Sequence, residues 1–336
     1  MKITSLIIFL TLFSFISCKK DSEPDIADNG NPAVATMQNG WNNVSSFGAN
    51  PGNLKMYVYK PSGGSSNKPV VIVLHGCSQD ASMISYETDW NKLAEQYKFY
   101  VIYAEQSTNN NSNACFNWFL TSDQEKNQGE VASIFNMYSF LKDNEPIDAS
   151  NVYVTGFSAG AGMAVNVLAC YPEVFRAGAI FAGVPYKAAT NATEAFTAMN
   201  GGISKTAQEW GDLVRNADTT FTGTYPKIAI FHGINDNVVS VANAGELEKQ
   251  WTNLHTINTS GTVYNFDGNP DVSMTYHINT SNDTVVKKYL INNLMHAIPV
   301  DPDGTAPKKG GNTDMYTVDK NFFSTYWVAK FFNLIP

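Results

Sequence analysis

Continuous apolar runs alternate along the chain with mixed segments, in the order expected of strands followed by helices. The run Pro69–Leu74 is almost entirely apolar, which is typical of a central parallel strand covered by helices on both faces. Leu54–Tyr59 alternates instead, which favours a strand near the sheet edge. Further strands are predicted over 99–104, 152–155, 175–183, 227–231 and 284–294. Helices are predicted over 89–97, 129–141, 159–168, 241–254 and 321–334.

These elements predict one α/β domain over residues 38–336, with a mostly parallel central sheet and helices on both of its faces. The segment 185–225 interrupts the pattern because it is irregular and rich in Ala, Thr, Asn and Gly. It carries Trp210 and falls at the edge of the sheet where ligands bind. Either a partial lid or a helical buttress fits its position.

The strand over 152–155 runs directly into Gly156-Phe157-Ser158-Ala159-Gly160 and then into a helix. A serine at such a sharp reversal is lifted above the sheet, and only small residues fit two positions to either side. The first N–H groups of the following helix point at the space beside the hydroxyl. The pattern therefore predicts Ser158 as a nucleophile for acyl transfer and the Ala159 N–H as an oxyanion donor, whereas the alternative is a glycine-rich turn without chemistry.

The acid and the histidine that a nucleophilic serine requires are found after strands that come later in the chain. Asp236 lies after the strand over 227–231, and His296 lies just beyond the last predicted strand, so the order is serine, acid, histidine. Asp236 is interpreted as the acid and His296 as the general base. The alternatives are that Asp236 only forms an ordinary turn and that His296 is a surface histidine without a catalytic role. His232, at a strand end, is interpreted as structural.

The loop after Pro69–Leu74 begins His75-Gly76-Cys77 at the carboxyl edge of the sheet. A loop in this place supplies the second oxyanion donor in enzymes with this order of elements, so the Cys77 N–H is the candidate. His75 precedes the glycine and is interpreted as a residue that organises the loop.

Charge excludes one class of partner. The chain has 22 basic and 30 acidic residues, a net charge of −8, and its arginines are Arg176 and Arg215. A basic stripe for nucleic acid is therefore absent from the sequence. No spacing of Cys and His indicates a metal site, and no cofactor is predicted.

The N-terminus resembles a bacterial lipoprotein signal. Lys2, the apolar run Leu6–Ile16 and Ser17-Cys18 predict a signal peptide over 1–17, and the resemblance implies cleavage before Cys18 and lipidation of its sulfur. A plain signal peptide is the alternative. Residues 18–37 are polar and charged, as expected of a tether. We therefore expect a secreted enzyme on the outer surface whose membrane contact is through the lipid anchor.

Several motifs together resemble the extracellular poly(3-hydroxybutyrate) depolymerase family of the α/β-hydrolase superfamily, which is related to feruloyl and acetylxylan esterases. The resemblance extends over most of the chain from Val70 onward. The motifs are HGCSQ at 75–79, CFNWF at 115–119, GFSAGAGMA at 156–164 and FAGVPY at 181–186.

The resemblance implies a secreted serine esterase and a disulfide between Cys77 and Cys115, which leaves Cys170 as a buried free thiol. Met295-His296-Ala297 stands where the family has Gly-His-Ala. Trp118 either lines the acyl cleft or packs beneath the loop. The implied substrate is a 3-hydroxybutyrate polyester, with feruloyl or acetyl esters on polysaccharide as the alternative. A polymer-binding protein without chemistry on the same scaffold is the remote alternative.

Overall fold

The structure is a computed structural model that describes residues 37–64 and 66–336. The predicted signal segment 1–17 and Cys18, with the tether up to residue 36, lie outside the described residues. Residues 37–336 form one compact unit. Among the described helices, none combines the length and the apolar character that crossing a membrane requires.

Ten strands of the described chain form one sheet, in the spatial order β1-β2-β4-β3-β5-β6-β7-β10-β9-β8. The six strands β4, β3, β5, β6, β7 and β10 run parallel, and antiparallel strands flank them on both sides. The strands are β1 Gly40–Val44, β2 Lys55–Lys60, β3 Lys68–Leu74, β4 Tyr100–Glu105, β5 Ile147–Phe157, β6 Ala177–Phe181, β7 Lys227–Gly233, β8 Ile257–Val263, β9 Val272–Asn279 and β10 Thr284–Ile291. Two short strands, β11 Ile298–Val300 and β12 Thr317–Asp319, pair separately.

Helices cover both faces of this sheet. Along β3, the side chains of Val70 and Ile72 enter one hydrophobic cluster, whereas those of Val71 and Val73 enter the other. Because successive side chains of a strand point to opposite faces, a strand covered on both sides needs a continuous apolar run. The helices are α1 Ala81–Thr88, α2 Trp90–Tyr97, α3 Gly129–Asn144, α4 Ala159–Cys170, α5 Ala192–Met199, α6 Ala207–Arg215, α7 Ala242–Thr252 and α8 Ser324–Phe331. Thus the predicted α/β fold with a mostly parallel sheet and helices on both faces is confirmed.

Some elements differ from the sequence interpretation. The sequence pattern predicts no strand between α7 and β10, yet this segment forms the hairpin of β8 and β9 at the sheet edge. Most β8 side chains are exposed, so this strand carries no apolar pattern and depends on its backbone ladder. The last long strand ends at Ile291 rather than Leu294, and α8 begins at Ser324 rather than Asn321.

The segment 185–225 contains two helices with different surroundings. Trp210 of α6 is fully buried, and its indole N–H donates to Glu246 of α7 over 2.6 Å. This helix is therefore a buttress. The other helix, α5, is held by Asn243, whose amide donates to the carbonyl of Ala198 over 2.9 Å, and it lies at the cavity described below.

Candidate active site

Ser158 stands at the sharp reversal between β5 and α4. Its backbone has φ 55° and ψ −119°, a conformation that an L-residue adopts only under constraint. Its N–H donates to the carbonyl of Phe181 over 2.9 Å, which ties the turn to the end of β6. A β-carbon at Gly156 would lie 2.3 Å from the carbonyl oxygen of Gly160, so the turn closes only with glycine there.

The structure brings Asp236 and His296 to this serine. His296 lies between β10 and β11, and its Nε2 is 2.9 Å from Ser158 Oγ. The other ring nitrogen, Nδ1, is 2.7 Å from Asp236 Oδ2. An ionised carboxylate only accepts hydrogen bonds, so Nδ1 carries the proton and Nε2 is left to accept from the serine hydroxyl.

Asp236 is held in its place from several sides. Its Oδ1 accepts from the N–H groups of Val238 and Val239, both at 2.9 Å. Burial raises the pKa of this carboxyl, but hydrogen bonds from His232 and His296 and from the Val239 N–H lower it, and the net pKa lies below its usual value. The acid therefore stays ionised beside the imidazole.

His232, interpreted as structural, is buried at the end of β7. Its Nε2 lies 2.8 Å from the carbonyl of Val239 and 3.5 Å from Asp236 Oδ2. Both neighbours are acceptors, so Nε2 carries the proton and donates. His232 thus supports the loop that carries Asp236.

A cavity of about 600 Å³ opens beside Ser158. Trp118, Phe119 and residues of α5 form its apolar walls, and Cys77 and Ser78 also line it. Trp118 lines the cavity, and its indole packs on Gly162 of α4. A mostly apolar cleft with a few polar groups is the usual form of a small-ligand site.

The two predicted oxyanion donors, Cys77 and Ala159, line this cavity together with Ser158. Among the hydrogen bonds of the described residues, neither backbone N–H has an acceptor. For Ala159 this follows from its place in the first turn of α4. A disulfide joins Cys77 to Cys115, the pairing that the resemblance implied, and Cys170 is a buried free thiol.

Sequence reasoning missed the contribution of α5 to the cavity. Phe196, Met199 and Ala195 line it, and Phe196 is 68% exposed. A helix start was nevertheless encoded, since the side chain of Asn191 accepts from the Glu194 N–H over 3.0 Å. This short helix was not predicted because the surrounding segment is irregular and rich in Ala, Thr, Asn and Gly.

Within the described residues, no group of three or more His, Cys, Asp or Glu side chains is arranged to hold a metal ion.

The chain is similar to several known esterases. Residues 54–267 match the family model described as Esterase PHB depolymerase. Poly(3-hydroxyalkanoate) depolymerase C of Paucimonas lemoignei is 44% identical over 300 residues, which cover 87% of this chain and 70% of that protein. Feruloyl esterase B of Talaromyces funiculosus is 33% identical over 266 residues, which cover 77% and 73% of the two chains.

Among solved structures, the acetyl xylan esterase from Aspergillus awamori superposes with a TM-score of 0.73 at 24% identity. The alignment covers 88% of this chain and 100% of that chain, and it supports the fold. Since the family model matches more than half of the sequence and the relatives are ester hydrolases, the protein is a serine esterase that belongs to the esterase PHB depolymerase family.

Proposed function

We propose that Ser158, His296 and Asp236 form the catalytic triad of this esterase. The observation that carries the proposal is the continuous hydrogen-bonded chain from Ser158 Oγ through the His296 ring to Asp236, at 2.9 and 2.7 Å. His296 Nε2 takes the hydroxyl proton as Ser158 attacks the ester carbonyl, and Asp236 stabilises the imidazolium that forms.

The backbone N–H groups of Cys77 and Ala159 bind the negative oxygen of the tetrahedral intermediate. His296 then donates its proton to the leaving alcohol, which departs and leaves an acyl-enzyme on Ser158. A water molecule, activated by the same imidazole, repeats the attack and releases the acid. Each oxyanion donor typically contributes ~3 kcal/mol to the barrier reduction, so the rate depends on the positions of the loop that carries Cys77 and of the first turn of α4.

Replacing Ser158 tests the mechanism. A Ser158→Ala enzyme is expected to lose turnover of p-nitrophenyl acetate by about 10³-fold or more, because the nucleophile is absent while the fold remains. Ser260→Ala is the matched control, since the Ser260 hydroxyl also contacts a histidine, His277, but lies outside the cavity. A fluorophosphonate probe should label Ser158 in the wild type and leave Ser158→Ala unlabelled. Unchanged turnover in Ser158→Ala would refute the triad. Labelling of the wild type indicates an enzyme, whereas a wild type that is not labelled indicates a polymer-binding protein without chemistry.

For the substrate we propose a polyester of 3-hydroxyalkanoate units. The higher identity to the depolymerase of Paucimonas lemoignei supports this, and so do the apolar walls that Trp118 and Phe119 give the cavity. Short aliphatic acyl units with a methyl branch fit such walls without polar partners.

A second candidate, an acylated polysaccharide, is favoured by one specific feature. A polar depression of about 370 Å³ adjoins the cavity and shares Ser78 and Asn113 with it. Its lining includes Asp80, Glu105 and Gln106, which suit the hydroxyl groups of a sugar. Initial rates on hydroxybutyrate trimer, methyl ferulate and acetylated xylan decide between the two. A trimer rate below both other rates would contradict the polyester proposal.

We also propose that the enzyme is secreted and carries a lipid on Cys18, which rests on the N-terminal sequence pattern alone. Metabolic labelling with palmitate should mark the wild type and not a Cys18→Ser variant. Equal labelling of both proteins would contradict the anchor.

A further inference from the structure

His75 is fully buried at the carboxyl end of β3, and both of its ring nitrogens have backbone partners. Its Nε2 lies 3.0 Å from the backbone nitrogen of Gln106, and its Nδ1 lies 2.7 Å from the carbonyl oxygen of Gly76. Gly76 directly follows His75 in the chain, so the ring holds the first carbonyl of the loop that begins there.

These partners determine which nitrogen carries the proton. The Gln106 N–H can only donate, so Nε2 must accept and is unprotonated. The ring proton is therefore on Nδ1, which donates to the Gly76 carbonyl. Burial lowers the pKa of His75, which agrees with a neutral ring. A second proton, on Nε2, would also point at the Gln106 N–H, which cannot accept it.

The Gly76 carbonyl and the Cys77 N–H belong to the same peptide group. This group is planar and trans, so the two bonds point in opposite directions, and fixing the oxygen fixes the direction of the N–H. Cys77 lines the cavity, and its N–H has no acceptor among the described residues. The Gly76 carbonyl also accepts from the backbone N–H of Gln79 over a longer 3.3 Å, so His75 is the nearer of its two donors. The disulfide holds the Cys77 side chain, and the Ser78 N–H donates to the carbonyl of Asn113 over 2.8 Å.

The far side of His75 is anchored as well. The Gln106 side-chain amide donates to Glu130 and to the carbonyl of Cys115, the latter over 3.2 Å. Glu130 is buried and also accepts from the Asn117 N–H over 2.8 Å. The residue whose N–H donates to His75 is therefore itself held by side-chain hydrogen bonds to Glu130 and Cys115.

We propose that His75 is a positioning residue for catalysis, which as a neutral ring protonated at Nδ1 aims the Cys77 N–H at the developing oxyanion. The inference rests on the proposed function, since it assigns to His75 the orientation of a donor in that mechanism. His75 touches no reacting atom and acts through the Gly76–Cys77 peptide group.

Two substitutions separate the two ring nitrogens. In His75→Asn the side-chain amide reaches the place of Nδ1 and keeps a donor for the Gly76 carbonyl. In His75→Gln the longer side chain places an acceptor near the position of Nε2 and loses that donor. Both variants lose the imidazole, so packing changes in both. His255→Gln, which replaces a half-buried histidine outside the cavity, is the control.

The measurements are kcat and KM on p-nitrophenyl butyrate, the rate of fluorophosphonate labelling, and Tm. His75→Asn is expected to keep kcat within about threefold. His75→Gln is expected to lose kcat by roughly 10- to 100-fold with KM nearly unchanged. The reason is that a Cys77 N–H pointing away from the oxyanion weakens a hydrogen bond that forms mainly in the transition state. Labelling of Ser158 should slow in parallel.

Equal kcat in the two variants, or a loss in His75→Gln that appears in KM, overturns the inference while the triad stands. A wild type without Ser158-dependent turnover overturns the proposed function and this inference with it. If His75→Asn does not fold, Gln79→Met replaces it. Gln79 accepts from the Gly76 N–H over 2.7 Å, so this change frees the preceding peptide group and leaves the Gly76 carbonyl on His75. A kcat loss in Gln79→Met as large as in His75→Gln contradicts the inference.

Discussion

Gly160, in the first turn of α4, faces the carbonyl oxygen of Leu74 so closely that a β-carbon at position 160 would lie 2.4 Å from it. The carbonyl oxygen of His75 would be equally near. The helix that carries the nucleophile and the strand that carries the oxyanion loop are therefore in backbone contact. Their separation, and with it the shape of the oxyanion site, is set by the absence of a side chain.

We expect Gly160→Ala to lower both stability and kcat. The added methyl group must push α4 away from β3, and overpacking of this kind costs about 1–3 kcal/mol. The displaced oxyanion loop should reduce kcat more than it raises KM. Thermal unfolding and steady-state kinetics measure the two effects.

Gly245 provides the control for that substitution. It lies in α7, and a β-carbon there would have nothing within 4 Å. Gly245→Ala should leave kcat unchanged and increase stability by up to ~1 kcal/mol, since alanine is the better helix former. Equal effects of the two substitutions would show that backbone contact at Gly160 is unimportant.

The disulfide between Cys77 and Cys115 should support both stability and catalysis. It closes a loop with a sequence separation of 38 residues, for which the loop-entropy estimate is ~4 kcal/mol. Replacing both cysteines with alanine should lower the free energy of unfolding by about 2–4 kcal/mol and reduce kcat. Urea denaturation and ester hydrolysis check this. Cys170→Ala, at a buried free thiol, should keep kcat, and a similar kcat loss there would argue against a special role of the bridge.

Phe196 should determine which esters the enzyme prefers. The side chain is 68% exposed, yet it lies on the cavity wall, so a bound acyl chain or polymer segment would cover it. Removing it forfeits about 1–2 kcal/mol of apolar burial, which is roughly a 5- to 30-fold loss in kcat/KM for hydroxybutyrate trimer. We expect Phe196→Ala to leave kcat/KM for p-nitrophenyl acetate nearly unchanged, since that acyl group is too small to reach the wall.

Tyr264→Ala is the matched control, because Tyr264 is an equally exposed aromatic residue that follows β8 and does not line the cavity. It should keep the rate on the trimer. An unchanged trimer rate in Phe196→Ala would place the substrate elsewhere.

Glu87 should make stability depend on pH. It is fully buried, its Oε2 accepts from the Gln79 side chain, and its Oε1 has no partner among the described residues. Burial, together with the negative charge of Asp314, raises its pKa to about 7. Because the folded state then holds this proton more tightly than the unfolded chain does, the stability contribution is full below pH 4.5 and is lost as pH rises through about 7.

Glu87→Gln keeps an oxygen acceptor for Gln79 without the charge. Its Tm should therefore exceed that of the wild type at pH 8 by roughly 2–4 °C for each kcal/mol recovered, and the difference should shrink toward pH 5. Glu194→Gln should behave in the opposite way, because hydrogen bonds from Thr190 lower the pKa of that exposed carboxyl. A pH-independent difference between wild type and Glu87→Gln would contradict the raised pKa.

Local patterns were sufficient for the six parallel strands and for the residues that follow them. The run that became β3 is apolar throughout because both faces of the strand are buried, and the small residues around Ser158 are required by the turn itself. Candidates for acid and base followed from chain order alone. By contrast, β8 was not predictable, since an exposed edge strand is specified by its partner's backbone and not by its own side chains.

The sequence by itself determined the parallel α/β architecture, the turn at Ser158 and the identity of the residues placed at the ends of the strands. Only the tertiary structure decided that Asp236, His296 and Ser158 lie within hydrogen-bond distance, because that depends on six parallel strands sharing one carboxyl edge. It likewise decided the role of α5 in the cavity wall and the tautomer of His75. Both depend on neighbours that are remote in the chain, and no local pattern encodes the direction in which a backbone N–H will point.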